Sequence, residues 1–140
     1  MGTIDELPAW ALALLEGERV ARLAYLDADD RPRVLPVTFA LADGAVFSAI
    51  DDKPKRTPEP ARVRHLRRRP HAALCVDRYD DNWSRLAWVQ LLGVVEVLDV
   101  AHAPAGLAAL AARYAPYRER RPPGPVLRLG PERALHWRAR

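Results

Sequence analysis

Apolar and polar positions change period several times along the chain, and each change marks an element. Leu7, Trp10, Ala11, Leu14 and Leu15 fall at helical spacing. Thr3-Ile4-Asp5-Glu6 ahead of them has the form of a capping box, with Pro8 in the first turn and Gly17 near the end. Strand-like runs follow at Val20 to Leu26, Arg33 to Leu41 and Ala45 to Ile50. Turn residues separate them, Asp29-Asp30-Arg31-Pro32 and then Ala42-Asp43-Gly44, and the expected unit is an antiparallel meander. Pro36 within the second run predicts an edge strand or a bulge.

The second half reads in the same way. Ala61 to Arg69 is expected as a helix with Val63 and Leu66 inward, ended by Pro70. Ala72 to Tyr79 and Leu86 to Val100 read as strands joined by Asp80-Asp81-Asn82, the second one bent at Gly93. Pro104 opens a helix to Tyr114 with Leu107, Leu110 and Ala111 on one face. Arg118 to Pro125 reads as an irregular charged loop, and Val126 to Leu129 and Ala134 to Trp137 as one or two closing strands. Six or seven strands with a few short helices make a mainly β, α+β chain. The hairpins point to a small, closed or partly closed antiparallel barrel, which leaves few exposed edges.

The 140 residues suit one domain spanning positions 1–140, and a hydrophobic content of 49% allows a real core. No apolar run reaches the ~18 residues of a membrane-spanning helix, and the N-terminus lacks the basic segment of a signal peptide. A single cysteine, Cys75, cannot form an internal disulfide, in keeping with a cytoplasmic location. It sits in an apolar strand and reads as a buried filler. Lys+Arg number 22 against 18 Asp+Glu, a net charge of +4. The excess gathers at Lys53 to Arg69 and at Arg118 to Arg121, and such clusters attract phosphates or polyanions.

Lys53, Lys55 and Arg56, stiffened by Pro54, stand between a strand and a helix, where backbone N–H groups and the helix dipole favour an anion. The plain alternative is a solvated charged loop. Arg62, Arg64, Arg67, Arg68 and Arg69 form a second basic group. It either extends the anion site or is a solvated helix face, the better reading for Arg67 to Arg69. Tyr79 and Trp83 place two large aromatics in a polar turn, which calls for a ligand ring or a partner subunit to cover them. Trp88 reads as core or dimer interface, and Arg85 can reach a phosphate or a partner carboxylate. His65, His71, His102 and His136 lie apart, without zinc-site spacing, and Ser48 and Ser84 form no triad with them. Any chemistry therefore belongs to a cofactor, with Tyr79 the nearest candidate proton donor.

The order Val20-Ala21-Arg22-Leu23-Ala24, Val34-Leu35-Pro36-Val37-Thr38-Phe39, Asp51-Asp52-Lys53-Pro54-Lys55-Arg56 and Tyr79-Asp80-Asp81-Asn82-Trp83-Ser84-Arg85-Leu86 resembles the pyridoxamine 5'-phosphate oxidase-like split β-barrel superfamily. More narrowly it resembles the branch that binds the deazaflavin F420, with the likeness running from about Glu18 to Trp137. The resemblance implies an FMN-binding type of split barrel and a homodimer with two cofactor sites at the subunit interface. It implies that Pro36, Val37 and Thr38 line the ring, that Ser48, Ala49 and Ile50 line the ribityl chain, and that Lys53, Lys55 and Arg56 bind the phosphate. Trp83, Ser84, Arg85 and Trp88 approach near the interface. Ala87 and Gln90 stand where a second aromatic and a basic residue are expected.

The implied activity is hydride transfer between reduced deazaflavin and a small organic acceptor. An FMN enzyme close to pyridoxamine-phosphate oxidases, or a non-catalytic carrier of the same fold, stands as the alternative. A nucleic-acid module is disfavoured by the eighteen acidic residues and the lack of a binding motif.

Overall fold

The structure, a computed structural model, describes residues 3–50 and 59–140. Seven strands form one antiparallel sheet: β1 Ala21–Leu26, β2 Pro32–Val37, β3 Ala40–Ala42, β4 Ala45–Ala49, β5 His71–Arg78, β6 Ala87–Leu98 and β7 Val126–Arg138. Their order is β2-β1-β5-β6-β7-β4-β3. Four α-helices accompany it among the described residues: α1 Ala9–Gly17, α2 Ala61–Arg68, α3 Pro104–Arg113 and α4 Ala115–Glu119.

The run Arg33 to Leu41, expected as one strand, is two. β2 pairs only with β1 and β3 only with β4, so they stand at opposite edges of the sheet. Thr38 and Phe39 alone join them. The three Cα–Cα steps from Val37 to Ala40 span at most about 11 Å, so these strand ends lie close together and the sheet curls into a barrel that its hydrogen bonds leave open. Pro36 therefore lies on an edge, as its missing N–H requires.

β4 explains its own composition. Ala45 to Ala49 are all buried because both faces are covered. Val46 joins the main core with Phe39, Leu66, Leu91 and Leu129. Phe47 joins a second cluster against Leu107, Leu110 and Tyr114 of the α3 region. Gly106 lets α3 approach there, since a Cβ on it would lie 2.2 Å from the Phe47 ring.

Two further expectations change. Thr3 does not cap α1: Pro8 holds the cap position without a side-chain bond, and the Thr3 hydroxyl donates to Pro131 O at 3.1 Å. Part of the loop expected from Arg118 to Pro125 is helical, because α4 runs to Glu119. Of the one or two closing strands expected, the structure has one, β7, with Pro131 set opposite the register shift at Leu92/Gly93. The bend expected at Gly93 is this bulge. No helix among the described residues is long and apolar enough to cross a membrane.

Candidate functional site

A cleft of about 210 Å³ opens where the sheet fails to close. Its described lining is Val20, Pro36, Val37, Thr38, Ser48, Ala49 and Arg62. Pro36 and Val37 end β2, Thr38 begins the seam, Ser48 and Ala49 end β4, and Arg62 stands in the first turn of α2. The curl thus brings together five of the residues expected around a cofactor. Ser48 Oγ donates to Thr38 O at 2.8 Å and ties β4 to the seam. Thr38 Oγ1 lies 2.7 Å from the Tyr117 hydroxyl.

Ile50 takes a different place. It is buried in the main core, and its N–H donates to Pro125 O at 3.3 Å. Lys53, Lys55 and Arg56 lie outside the described residues.

Arg62 is the residue that the sequence placed only in a general basic group. Its Nε is buried and has no hydrogen-bond partner among the described residues. A buried guanidinium N–H without an acceptor is costly, and here it lies at a cleft. The other arginines of α2 behave as a surface: Arg67 pairs with Glu59 at 2.6 Å, and Arg69, just past the helix, pairs with Asp30 at 2.5 Å. The Arg67 guanidinium holds the Glu59 carboxyl below its ordinary range.

Trp83, Ser84 and Arg85 form a single 3₁₀ turn between β5 and β6, away from this cleft. Asn82 Oδ1 accepts from the Ser84 N–H at 3.2 Å and from Ser84 Oγ at 2.7 Å. Arg85 Nε donates to Asp80 Oδ2 at 2.9 Å, so its carboxylate partner comes from its own chain. Asp80 is held below the ordinary aspartate range, chiefly by the Asn82 N–H and then by Arg85. Trp83 and Tyr79 stay 68% and 67% exposed, an open aromatic pair in a polar turn. Ser84 and Arg85 line a different depression, with Arg78, Leu86, Arg138 and Arg140.

Cys75 is only half-buried and points outward, opposite Arg22 and Gln90. Burial, followed by Asp77, pushes its thiol upward, away from the reactive thiolate. No cluster of three His, Cys, Asp or Glu suited to a metal occurs among the described residues.

The outward face of the sheet carries one apolar row across four strands. Val34, Ala24, Ala73 and Leu92 stand opposite one another in a row from β2 to β6. Trp88 faces Trp137 on the same side.

A curled antiparallel sheet, left open with a cleft at the seam, is a split barrel. A family model described as pyridoxamine 5'-phosphate oxidase matches residues 7–138, and the chain belongs to that family. Solved structures share the fold. A conserved hypothetical protein of Mycobacterium tuberculosis has a TM-score of 0.74 at 18% identity, with 94% of this chain and 85% of that one covered. An FAD-binding protein of Mesorhizobium loti has a TM-score of 0.68 at 20% identity, covering 93% and 94%. The haem storage protein HutZ of Vibrio cholerae has 0.69 at 16%, covering 91% and 90%. No curated protein matches the chain.

Proposed function

We propose that this protein binds a phosphorylated flavin-type cofactor at the barrel seam, F420 foremost, and transfers hydride between it and a small organic acceptor. The observation that carries the reading is the buried Nε of Arg62 at the cleft, which has no partner among the described residues. The donor set fits such a group. Pro36, Val37 and Ala49 offer an apolar wall, Thr38 and Ser48 add hydroxyls, and Arg62 offers a charged donor to a phosphate. Lys53, Lys55 and Arg56 add positive charge next in the chain. A bound deazaflavin supplies hydride from its ring. The protein's own part is to bind, orient and exclude water, since transfer depends on near-attack geometry.

The site needs a second copy of the chain. The cleft's 210 Å³ falls below the ~300–1,000 Å³ usual for a small-molecule pocket. Trp83, Ser84, Arg85 and Trp88 do not line it within their own chain. A homodimer packed through the outward sheet face covers the Val34–Leu92 row and brings Trp83 of one protomer toward the cleft of the other.

Titration with F420 and with FMN, each followed by absorbance and fluorescence, tests the reading. Tighter binding of F420 is the expected result. Tight FMN binding without F420 binding replaces it with the FMN reading. Tight binding without turnover across a broad acceptor panel makes the protein a carrier. Binding of neither overturns all three.

A further inference from the structure

The seam has a second layer behind it. Phe39, which follows Thr38, has both backbone groups engaged by one phenol: its N–H donates to the Tyr114 hydroxyl at 3.2 Å, and its carbonyl accepts from that hydroxyl at 2.9 Å. Arg113 Nη1 donates to Phe39 O and to Leu15 O, both at 3.2 Å, and Nη2 donates to Glu18 O. The Arg113 guanidinium lies 4.5 Å over the Phe39 ring. The rings of Tyr114 and Tyr117 meet edge to face at 5.7 Å. Tyr117 then reaches one residue back along the seam to the Thr38 hydroxyl. Among these groups only Thr38 faces the cleft.

A threonine side chain chooses among staggered wells that differ in whether its hydroxyl or its methyl faces a given side. The Tyr117 bond holds Thr38 in one of them, and it does so whichever oxygen donates. We propose that Tyr117 is a positioning residue: through Thr38 it fixes which group the seam presents to the cofactor ring, so that α4, outside the cleft, sets cofactor affinity. The inference rests on the cofactor reading above and assigns Tyr117 no contact with the ligand.

The test compares the unaltered protein with Tyr117→Phe, Thr38→Val and the double variant. Each is titrated with F420 and FMN while the bound chromophore's absorption band is followed, and thermal melting is recorded without ligand. Tyr117→Phe is expected to weaken binding about five- to tenfold, the scale of one hydrogen bond, and to shift the bound band. The double variant is expected to bind no more weakly than Thr38→Val alone, because Tyr117 acts only through the Thr38 hydroxyl. Thr38→Val reaches that interaction from the other side should Tyr117→Phe fold poorly. Unchanged affinity and band in a folded Tyr117→Phe overturn the inference alone, as do additive losses in the double variant. Failure of the unaltered protein to bind either cofactor overturns the cofactor reading and this inference with it.

Discussion

A Cβ on Gly93 would lie 2.1 Å from the carbonyl oxygen of Gly130. Gly93 pairs with Pro131, and Gly130 with Val94, beside the register shift of the β6–β7 ladder. Backbone, not a flexible side chain, occupies the space. Gly93→Ala must therefore move a strand, at a cost of about 2–4 kcal/mol. Urea unfolding should show a lower midpoint with the same slope.

Arg62→Ala separates stability from binding. The Nε has no partner among the described residues, so the ligand-free melting temperature should hold or rise. Cofactor affinity should fall by about 1.5–3 kcal/mol, the range for a hydrogen bond to a charged group. Calorimetric titration beside a melting curve reads both. A drop in stability with unchanged affinity would make Arg62 a structural residue.

Leu92→Arg tests the proposed dimer. It places a charge in the apolar row with Val34, Ala24 and Ala73, where burial of an unpaired guanidinium is unfavourable. Sedimentation should show a shift from dimer to monomer with the fold intact, and cofactor binding should weaken in step. A variant that stays dimeric moves the interface elsewhere.

The pH response of the Trp83 turn follows from Asp80. Its carboxyl is depressed in the fold by the Asn82 N–H and Arg85. The folded state thus favours the charged form. That contribution is fully present above the ordinary value of 3.8 and is lost as pH falls below it, through the depressed folded value. The Trp83 indole N–H signal in NMR should report the turn loosening there, whereas Asp80→Asn should show the loosened signal at neutral pH. Identical spectra for the two proteins at neutral pH would remove Asp80 from that role.

The strands were legible where pairing and pattern agree. Outward and inward positions alternate cleanly along Ala87 to Val95 of β6, and the bend at Gly93 could be read from the glycine alone. The seam was not legible. Arg33 to Leu41 keeps a strand pattern throughout, and only the distant partners, β1 for one half and β4 for the other, divide it. Five residues of α4 are too few to show a period. The local capping signal of Thr3 yields to a carbonyl 128 positions away. At the site, Pro36 to Thr38 and Ser48 to Ala49 were readable through the family's order of segments. Arg62 was not, because nothing in a run of arginines tells which one the fold buries.

A closed barrel has every strand hydrogen-bonded on both sides. Here β2 and β3 each have one neighbour, so two rows of main-chain donors and acceptors face across the gap that Thr38 and Phe39 bridge. Widening that gap breaks no ladder hydrogen bond. Opening at the seam would thus leave the β1-β5-β6-β7 ladders whole, and the side-chain bonds of Ser48 to Thr38 and of Tyr114 to Phe39 are what hold the two edges at their spacing.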